Sequence, residues 1–303
     1  MPRKKILVIG SSNTDMTVRS SMLPRPGETV LGGDFRMGQG GKGANQAVAA
    51  KLLGGDVTFI CKLGNDIFGD NALKHYSNTG LDVSHILHSD KPSGVALITV
   101  DKDAENCIVV ASGANSDITE DDIQEIAPLI KDAGIVLLQL EIPLPAVIKA
   151  AELAHSAGVT VVLNPAPALS LPGELVRCVS LIIPNQCETT AITGIPVNDE
   201  ESASIAANVL KSKGIQDVVI TMGSKGSLVC DGKTTFVPAR KVSAVDTTAA
   251  GDVFCGGLCV ALAEGRTLTE AVRFATVASS LSVQRHGAQD SIPTREEVDK
   301  LIG

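Results

Sequence analysis

Ile135-Val136-Leu137-Leu138-Gln139-Leu140, followed by Pro145 to Ser156 and then Val159-Thr160-Val161-Val162-Leu163, is the stretch on which the fold is read. An apolar run of strand length, a segment with apolar residues at helical spacing and a second unbroken apolar run spell a βαβ unit. Strands that are apolar on both faces belong to a parallel sheet covered by helices on both sides. The pattern continues outward. Ile6-Leu7-Val8-Ile9-Gly10 reads as a buried strand ending in a loop, Val57 to Leu63, Leu181 to Ile183, Val218 to Thr221 and Ser227 to Cys230 as further strands. Phe68 to Asn78, Ile123 to Asp132, Ala271 to Val283 and Arg295 to Ile302 read as helices. The expected fold class is α/β, a doubly wound, mostly parallel, Rossmann-like sheet with helices on both faces.

Two stretches break the alternation. Met16 to Arg36 contains Pro24, Pro26, Gly27, Gly32 and Gly33 with short alternating pieces such as Glu28-Thr29-Val30-Leu31. Gly94 to Val100 alternates, a polar turn follows over Asp101 to Asn106, and Cys107 to Ala111 returns as a strand, which is a hairpin. The expectation is one domain over 1–303 carrying a small β sheet from about 16–37 and 92–112, as a lid or a dimer contact. A lid would expel water from a cleft in which a phosphoryl group moves.

Composition narrows the ligands. The chain has 303 residues, 44% apolar, with no Trp and one Tyr, so its core must be Val, Ile, Leu and Ala. Net charge is −8 and no basic run follows Arg3-Lys4-Lys5, which argues against a nucleic-acid partner and for small ligands held in a cleft. No apolar run approaches the ~20 residues of a membrane span and no signal-peptide pattern opens the chain, so a cytoplasmic protein is expected. Of seven cysteines, Cys61, Cys107, Cys178 and Cys230 sit in apolar runs and read as core residues; no Cys-x-x-Cys suggests zinc. His85 and His88 read as solvated loop residues. Internal repeats and low-complexity linkers are absent.

Ligands in such sheets bind beyond the carboxyl ends of the strands. There the loop Ser11 to Asp15 offers Asn13 and Asp15, a pair suited to a polyol, although an Asx-turn closing the loop explains them equally. Glu141, Asn164, Asn185 and Glu188 follow other strands; each alone is ordinary turn chemistry, and their convergence on one edge is the stronger signal. Gly38 to Ala47 is a glycine cluster running into a helix. It fits neither the Walker pattern, because Gly43 follows Lys42, nor the dinucleotide fingerprint, because no strand is read immediately before it. Lys42 and Asn45 supply directed polar groups, and flexible punctuation is the alternative. Thr221-Met222-Gly223-Ser224-Lys225-Gly226 suits nucleotide phosphates or a plain hairpin turn. Val245 to Phe254 reads as a turn opening a helix, whose free N–H groups make an anion site beside Asp252; tight packing of Ala249-Ala250-Gly251 is the competing account.

Gly40-Gly41-Lys42-Gly43-Ala44-Asn45-Gln46-Ala47, Asn185-Gln186-Cys187-Glu188 and Asp246-Thr247-Thr248-Ala249-Ala250-Gly251-Asp252 occur in one order and spacing. In these, and in Ser12 to Asp15 and Arg285 to Gln289, the chain resembles the ribokinase family of sugar kinases, also called the PfkB family, over nearly its whole length. It is most similar to the ribose-phosphorylating members. The resemblance implies ATP-dependent phosphorylation of D-ribose at O5, giving D-ribose 5-phosphate and ADP, and a β lid that joins a homodimer. By position it implies that Asn13, Thr14, Asp15, Gly41, Lys42, Gly43, Ala44, Asn45 and Glu141 hold the sugar and that Asp252 is the catalytic base. Ala249, Ala250 and Gly251 would form a backbone anion hole with Asp252. Thr221 to Gly226 and Thr276 would lie along the nucleotide, Asn185 would contact phosphate, and Glu188 would help place Mg2+ indirectly. Asp246, Thr248, Ser282, Arg285, Gly287 and Ser291 match positions that bind an activating K+, mostly through carbonyl oxygens.

Two positions depart from the family pattern. Ala249 replaces the usual Gly, as in many ribose-phosphorylating members, and backbone donors survive that change. Thr276 stands where some members place His or Asn, which leaves the adenine contact open. A sister kinase for fructose, deoxyribose or a nucleoside is the nearest alternative; Asp15 and Glu141 favour a free polyol. A non-catalytic sugar or nucleotide sensor would show a missing base or broken anion loop, and both are intact. The glycine cluster alone suggests a dinucleotide oxidoreductase, the weakest reading.

Overall fold

Strand Ile6–Ile9, buried at every position, has parallel neighbours on both sides, Val57–Ile60 at one flank and Ile135–Leu138 at the other. The computed structural model describes residues 4–103 and 105–302, so Arg3 of the basic start and Ala104 of the hairpin turn lie outside the described residues. Beyond Ile135–Leu138 come Thr160–Leu163, Leu181–Ile182 and Asp217–Thr221, all parallel, then Gly226–Cys230 and Thr234–Pro238, which meander back antiparallel to complete an eight-stranded sheet. The chain goes first to one side of Ile6–Ile9 and then to the other. Loops leaving Ile9 and Leu138 therefore diverge and open a crevice at the carboxyl edge.

Alternation sends Ile6, Val8 and Leu137 to one core, and Leu7, Ile9 and Leu138 to the other. Helices Lys42–Leu52, Ala250–Ala263 and Leu268–Ser282 cover the first, and Leu144–Ser156 and Glu200–Ser212 the second. Lys42–Leu52 and Ala250–Ala263 nearly touch backbones. A methyl group on Gly256 would come within 2.8 Å of the Gln46 carbonyl and 2.9 Å of the Ala49 β-carbon. Among the described residues no helix is long and apolar enough to cross a membrane.

A separate four-stranded sheet runs Phe35–Gly40, Asn13–Arg19, Gly94–Val100, Asn106–Ala111. Here expectation and structure part. Asn13 and Asp15 open a strand rather than occupy a loop, and Glu28 to Leu31 forms none, with Leu31 91% exposed. A strand, Phe35–Gly40, does precede the glycine cluster; it pairs antiparallel with Asn13–Arg19 in the small sheet, so no βαβ unit results. Val57 to Leu63 breaks at Cys61, and Lys62–Gly64 leaves to pair with Leu87–Ser89, which puts His88 in a strand. Ile123 to Asp132 splits into Glu120–Glu125 and Ala127–Asp132, because Pro128 starts a new helix and disfavours continuation of the old one. Cys107 is exposed, since its strand is an outer edge of the small sheet.

Candidate active site

Asp252 sits buried in the first turn of Ala250–Ala263, facing the first turn of Lys42–Leu52. Its Oδ2 accepts from Asn45 Nδ2 at 3.0 Å and its Oδ1 from Gln46 Nε2 at 2.9 Å. Burial pushes the Asp252 pKa up; Lys42 and the two amide donors oppose the shift without cancelling it. Burial pulls the Lys42 pKa down, but the surrounding carboxylates of Asp252, Glu141 and Glu188 outweigh it and hold the pKa above the ordinary value. Each group therefore favours the charged form of the other.

Glu141, just past Ile135–Leu138, accepts on Oε2 from the Ser11 hydroxyl at 2.6 Å and from the Lys42 backbone N–H at 3.0 Å. It therefore ties together the two diverging loops of the crevice and the start of the helix carrying Gly43, Ala44 and Asn45. Asn13 is fixed by Asn115, whose Nδ2 donates to Asn13 Oδ1 at 2.8 Å. The Asp15 pKa is raised from 3.8 to about 6, by burial first and then by the charges of Glu141 and Asp252. Thr14 is buried, and strand alternation turns it to the opposite face from Asn13 and Asp15. A cavity of about 630 Å3 lies between Asp15 on the small sheet and Asp246, Thr248 and Gly287 on loops of the main body. A second of about 350 Å3 is lined by Asn13, Asn115 and Glu141. Neither is lined by Lys42, Asp252 or the 221–226 turn.

The turn before Asp252 has a left-handed residue, Ala249, at φ 58°. Its conformation ends one backbone course and starts the helix. Ala250 N–H is committed to the Thr247 carbonyl at 3.2 Å, whereas the N–H groups of Gly251 and Asp252 meet no protein acceptor among the described residues. These free donors at a helix N-terminus are suited to anionic oxygen.

Asn185 and Glu188 form a capping box on Gln186–Thr193: Asn185 Oδ1 accepts from Glu188 N at 2.8 Å, and Glu188 accepts from Asn185 N at 2.8 Å and Nδ2 at 2.9 Å. Glu188 is buried with its pKa raised by that burial, against the pull of Asn185 N–H and Lys42. Asn185 pairs with Thr221 across neighbouring strand ends. From Thr221 the chain enters the turn Gly223–Lys225 of an antiparallel hairpin, with Met222 in the core, Ser224 exposed and Lys225 Nζ donating to the Asn198 carbonyl at 2.6 Å. Thr276 donates to the Val272 carbonyl within its helix at 2.8 Å.

Asp246 closes two loops on each other. Oδ1 accepts from Thr248 N at 2.9 Å and its hydroxyl at 2.6 Å, and Oδ2 accepts from Gly287 N at 2.9 Å. Those hydrogen bonds outweigh burial and keep the Asp246 pKa below the usual range. The side chains of Ser282 and Ser291 donate to Ser279 and Ala288 carbonyls, at 2.9 and 2.8 Å, and Arg285 pairs with Glu297. Arg285 has only its backbone carbonyl left to face a cation, whereas Ser282 and Ser291, whose hydroxyls donate elsewhere, keep carbonyl and hydroxyl oxygens. No cluster of three or more His, Cys, Asp or Glu able to hold a metal occurs among the described residues.

Sequence reading overlooked Ser11, Gln46, Asn115 and Gln289 as site components. Gln139 carried a usable signal: an amide inside an apolar strand must find partners, and its Nε2 donates to Gln46 Oε1 at 2.6 Å.

Residues 3–295 match the pfkB family carbohydrate kinases. The chain is 45% identical over 302 residues to the ribokinase of Haemophilus influenzae, covering 99% of each. It is 35% identical over 300 residues to the deoxyribokinase of Salmonella typhi, covering 98% of each. A solved structure of Arabidopsis thaliana ribokinase complexed with ribose and ATP superposes with a TM-score of 0.91 at 33% identity, covering 100% of this chain and 99% of that one. With the site geometry and the match over nearly its whole length, this chain belongs to the pfkB family of carbohydrate kinases.

Proposed function

We propose that the site transfers the terminal phosphoryl group of ATP to the 5-hydroxyl of D-ribose, giving D-ribose 5-phosphate and ADP. One observation carries the reading: a buried carboxylate, Asp252, aimed by two amides and placed beside the unpartnered N–H groups of a helix start. Asn13, Asp15, Glu141 and the Gly41–Asn45 segment hold the sugar hydroxyls. Phosphoryl transfer asks mainly for alignment and charge neutralisation. Asp252 orients the attacking hydroxyl and accepts its proton as the bond to phosphorus forms and the bond to ADP oxygen breaks. Gly251 and Asp252 N–H groups and the helix dipole stabilise the equatorial oxygens in flight.

The nucleotide lies along Thr221 to Gly226, with Asn185 at its phosphates. Mg2+ would neutralise the distal phosphates; each Glu188 oxygen, engaged once by Asn185, keeps a further acceptor site for metal-bound water, and a cation held chiefly by phosphates needs few protein ligands. K+ fits the Asp246 loops, where an ionised carboxylate sits among side chains turned elsewhere. The small sheet acts as a lid. Its exposed Phe35, Met37, Leu97 and Val109 support it as the contact of a homodimer. Dependence on ATP makes the cytoplasm the proposed setting.

The test is ADP release with ribose, deoxyribose, fructose and nucleosides, in K+ and in its absence. Ribose should give the highest kcat/KM, with K+ raising it; preference for another acceptor would replace ribose in this reading.

A further inference from the structure

We propose that Gln46 is a positioning residue for Asp252, its side-chain amide locked in one orientation so that the carboxylate cannot swing away from the sugar hydroxyl. The inference rests on Asp252 being the base of the proposed reaction.

The wholly buried Gln46 amide spends both hydrogens: Nε2 donates to Asp252 Oδ1 at 2.9 Å and to Asn164 Oδ1 at 3.0 Å. Flipping the amide would set its oxygen against both acceptors. Asn164 cannot turn to relieve this, because its Nδ2 donates to the Ile183 carbonyl at 2.8 Å. On the other side Gln139 Nε2 donates to Gln46 Oε1 at 2.6 Å. The polarity of the chain is thus set by a backbone carbonyl, which cannot reverse.

Asn45 is held in a parallel way. Gln289 Nε2 donates to Asn45 Oδ1 at 3.0 Å, which leaves Asn45 Nδ2 for Asp252 Oδ2 at 3.0 Å. Each oxygen of Asp252 therefore receives a donor whose own orientation is imposed by a further glutamine. Both outer glutamines are buried, and both leave Oε1 without a hydrogen-bond partner among the described residues. A buried acceptor left unpaired is destabilising, and an apolar residue of similar size would avoid it. Keeping an amide at Gln139 and Gln289 makes sense if the donated hydrogen is what matters. With one lone pair per oxygen taken, the pair left on each oxygen of Asp252 points in a fixed direction, and fixed alignment is the main source of rate in this chemistry.

The charges facing Asp252 are Lys42, Glu141, Glu188 and Asp15, with the Cys255 thiol also near. Gln46→Met changes none of these charges; it removes the donor to Asp252 and, with it, the bonds to Asn164 and Gln139 that hold the amide in place. Donors to the ionised form hold a carboxylate's proton affinity down, so their loss moves the acid limb of kcat to higher pH.

In the full-length enzyme, Gln46→Met should lower kcat by ~10- to 100-fold while leaving KM for ATP within about twofold. Its acid limb should move up in pH. Gln139→Met does not touch Asp252 and should move that limb in the same direction by less; it carries the test if Gln46→Met fails to fold. A lowered melting temperature with kcat and acid limb unmoved in the folded variants would reduce the network to packing and overturn the proposal. Asp252→Asn separates the two levels. If it retains turnover, the base assignment falls and positioning with it; if it is inactive while Gln46→Met is normal, only positioning falls.

Discussion

Gly40 lies against the carboxylate of Asp15, so that a methyl group on its α-carbon would overlap both oxygens. The contact joins adjacent strands of the small sheet and needs a residue without a side chain. Gly40→Ala should displace Asp15, raising KM for ribose ~10-fold or more with a smaller change in kcat. Steady-state kinetics with ribose varied at saturating ATP measure this; an unchanged KM would remove Asp15 from sugar binding.

Asp15 should also impose a pH dependence on sugar binding. With its pKa raised to about 6, the carboxylate is ionised at neutral pH and protonated below that value. An acceptor becomes a donor, so KM for ribose should rise as pH falls through about 6. Stability runs the other way. The folded state holds the proton more tightly than the unfolded chain, so the favourable contribution is complete below about 3.8 and lost as pH rises through about 6. Asp15→Asn should therefore melt roughly 2–6 °C above the parent at pH 8, a gap that closes by about pH 4. Equal melting temperatures at pH 8 would contradict this.

Asp252→Asn keeps the shape of the side chain and removes its basicity. Turnover should fall ~10³-fold or more while ribose binding, followed by calorimetry, is retained. Near-normal turnover would end its assignment as the base.

Exchange of K+ for Na+ at constant ionic strength should lower turnover without moving the melting temperature. Asp246→Asn should abolish the difference between the salts, because the proposed cation site is built around the ionised carboxylate that joins Thr248 to Gly287. Identical rates of the parent in both salts would rule the site out.

Leu97 and Val109 are directly paired across neighbouring strands and both are exposed. Leu97→Glu should shift a dimer to monomer in sedimentation velocity, since a charge at the centre of an apolar contact is costly to bury. A parent that sediments as a monomer would refute the proposed contact.

The main sheet was legible because its strands are buried on both faces and their apolar runs do not depend on what lies beside them. Helix Arg295–Ile302 coincides with its sequence limits for a related reason: its periodicity is local. Asn13–Arg19 is different. It is polar and half-exposed, and it is a strand because Phe35–Gly40 and Gly94–Val100 flank it, partners remote in sequence. Lys42, Asn45, Glu141 and Asp252 were legible from motif, and the structure brings them into mutual charge or hydrogen-bond contact. The amides that orient them were not, because Gln139 lies 93 residues from Gln46, and Gln289 lies 244 from Asn45.

The near-contact at Gly256 divides the protein by what it can tolerate. Because the helices bearing Asn45, Gln46 and Asp252 meet almost backbone to backbone there, their spacing is set by rigid packing and admits no larger residue. Opening and closing around substrate would then fall to the small sheet proposed above as the lid. Acceptor range can drift through substitutions on that sheet while the phosphoryl-transfer centre stays unaltered. On that proposal the small sheet is where acceptor range can change, while the packed helices keep the transfer geometry they inherit.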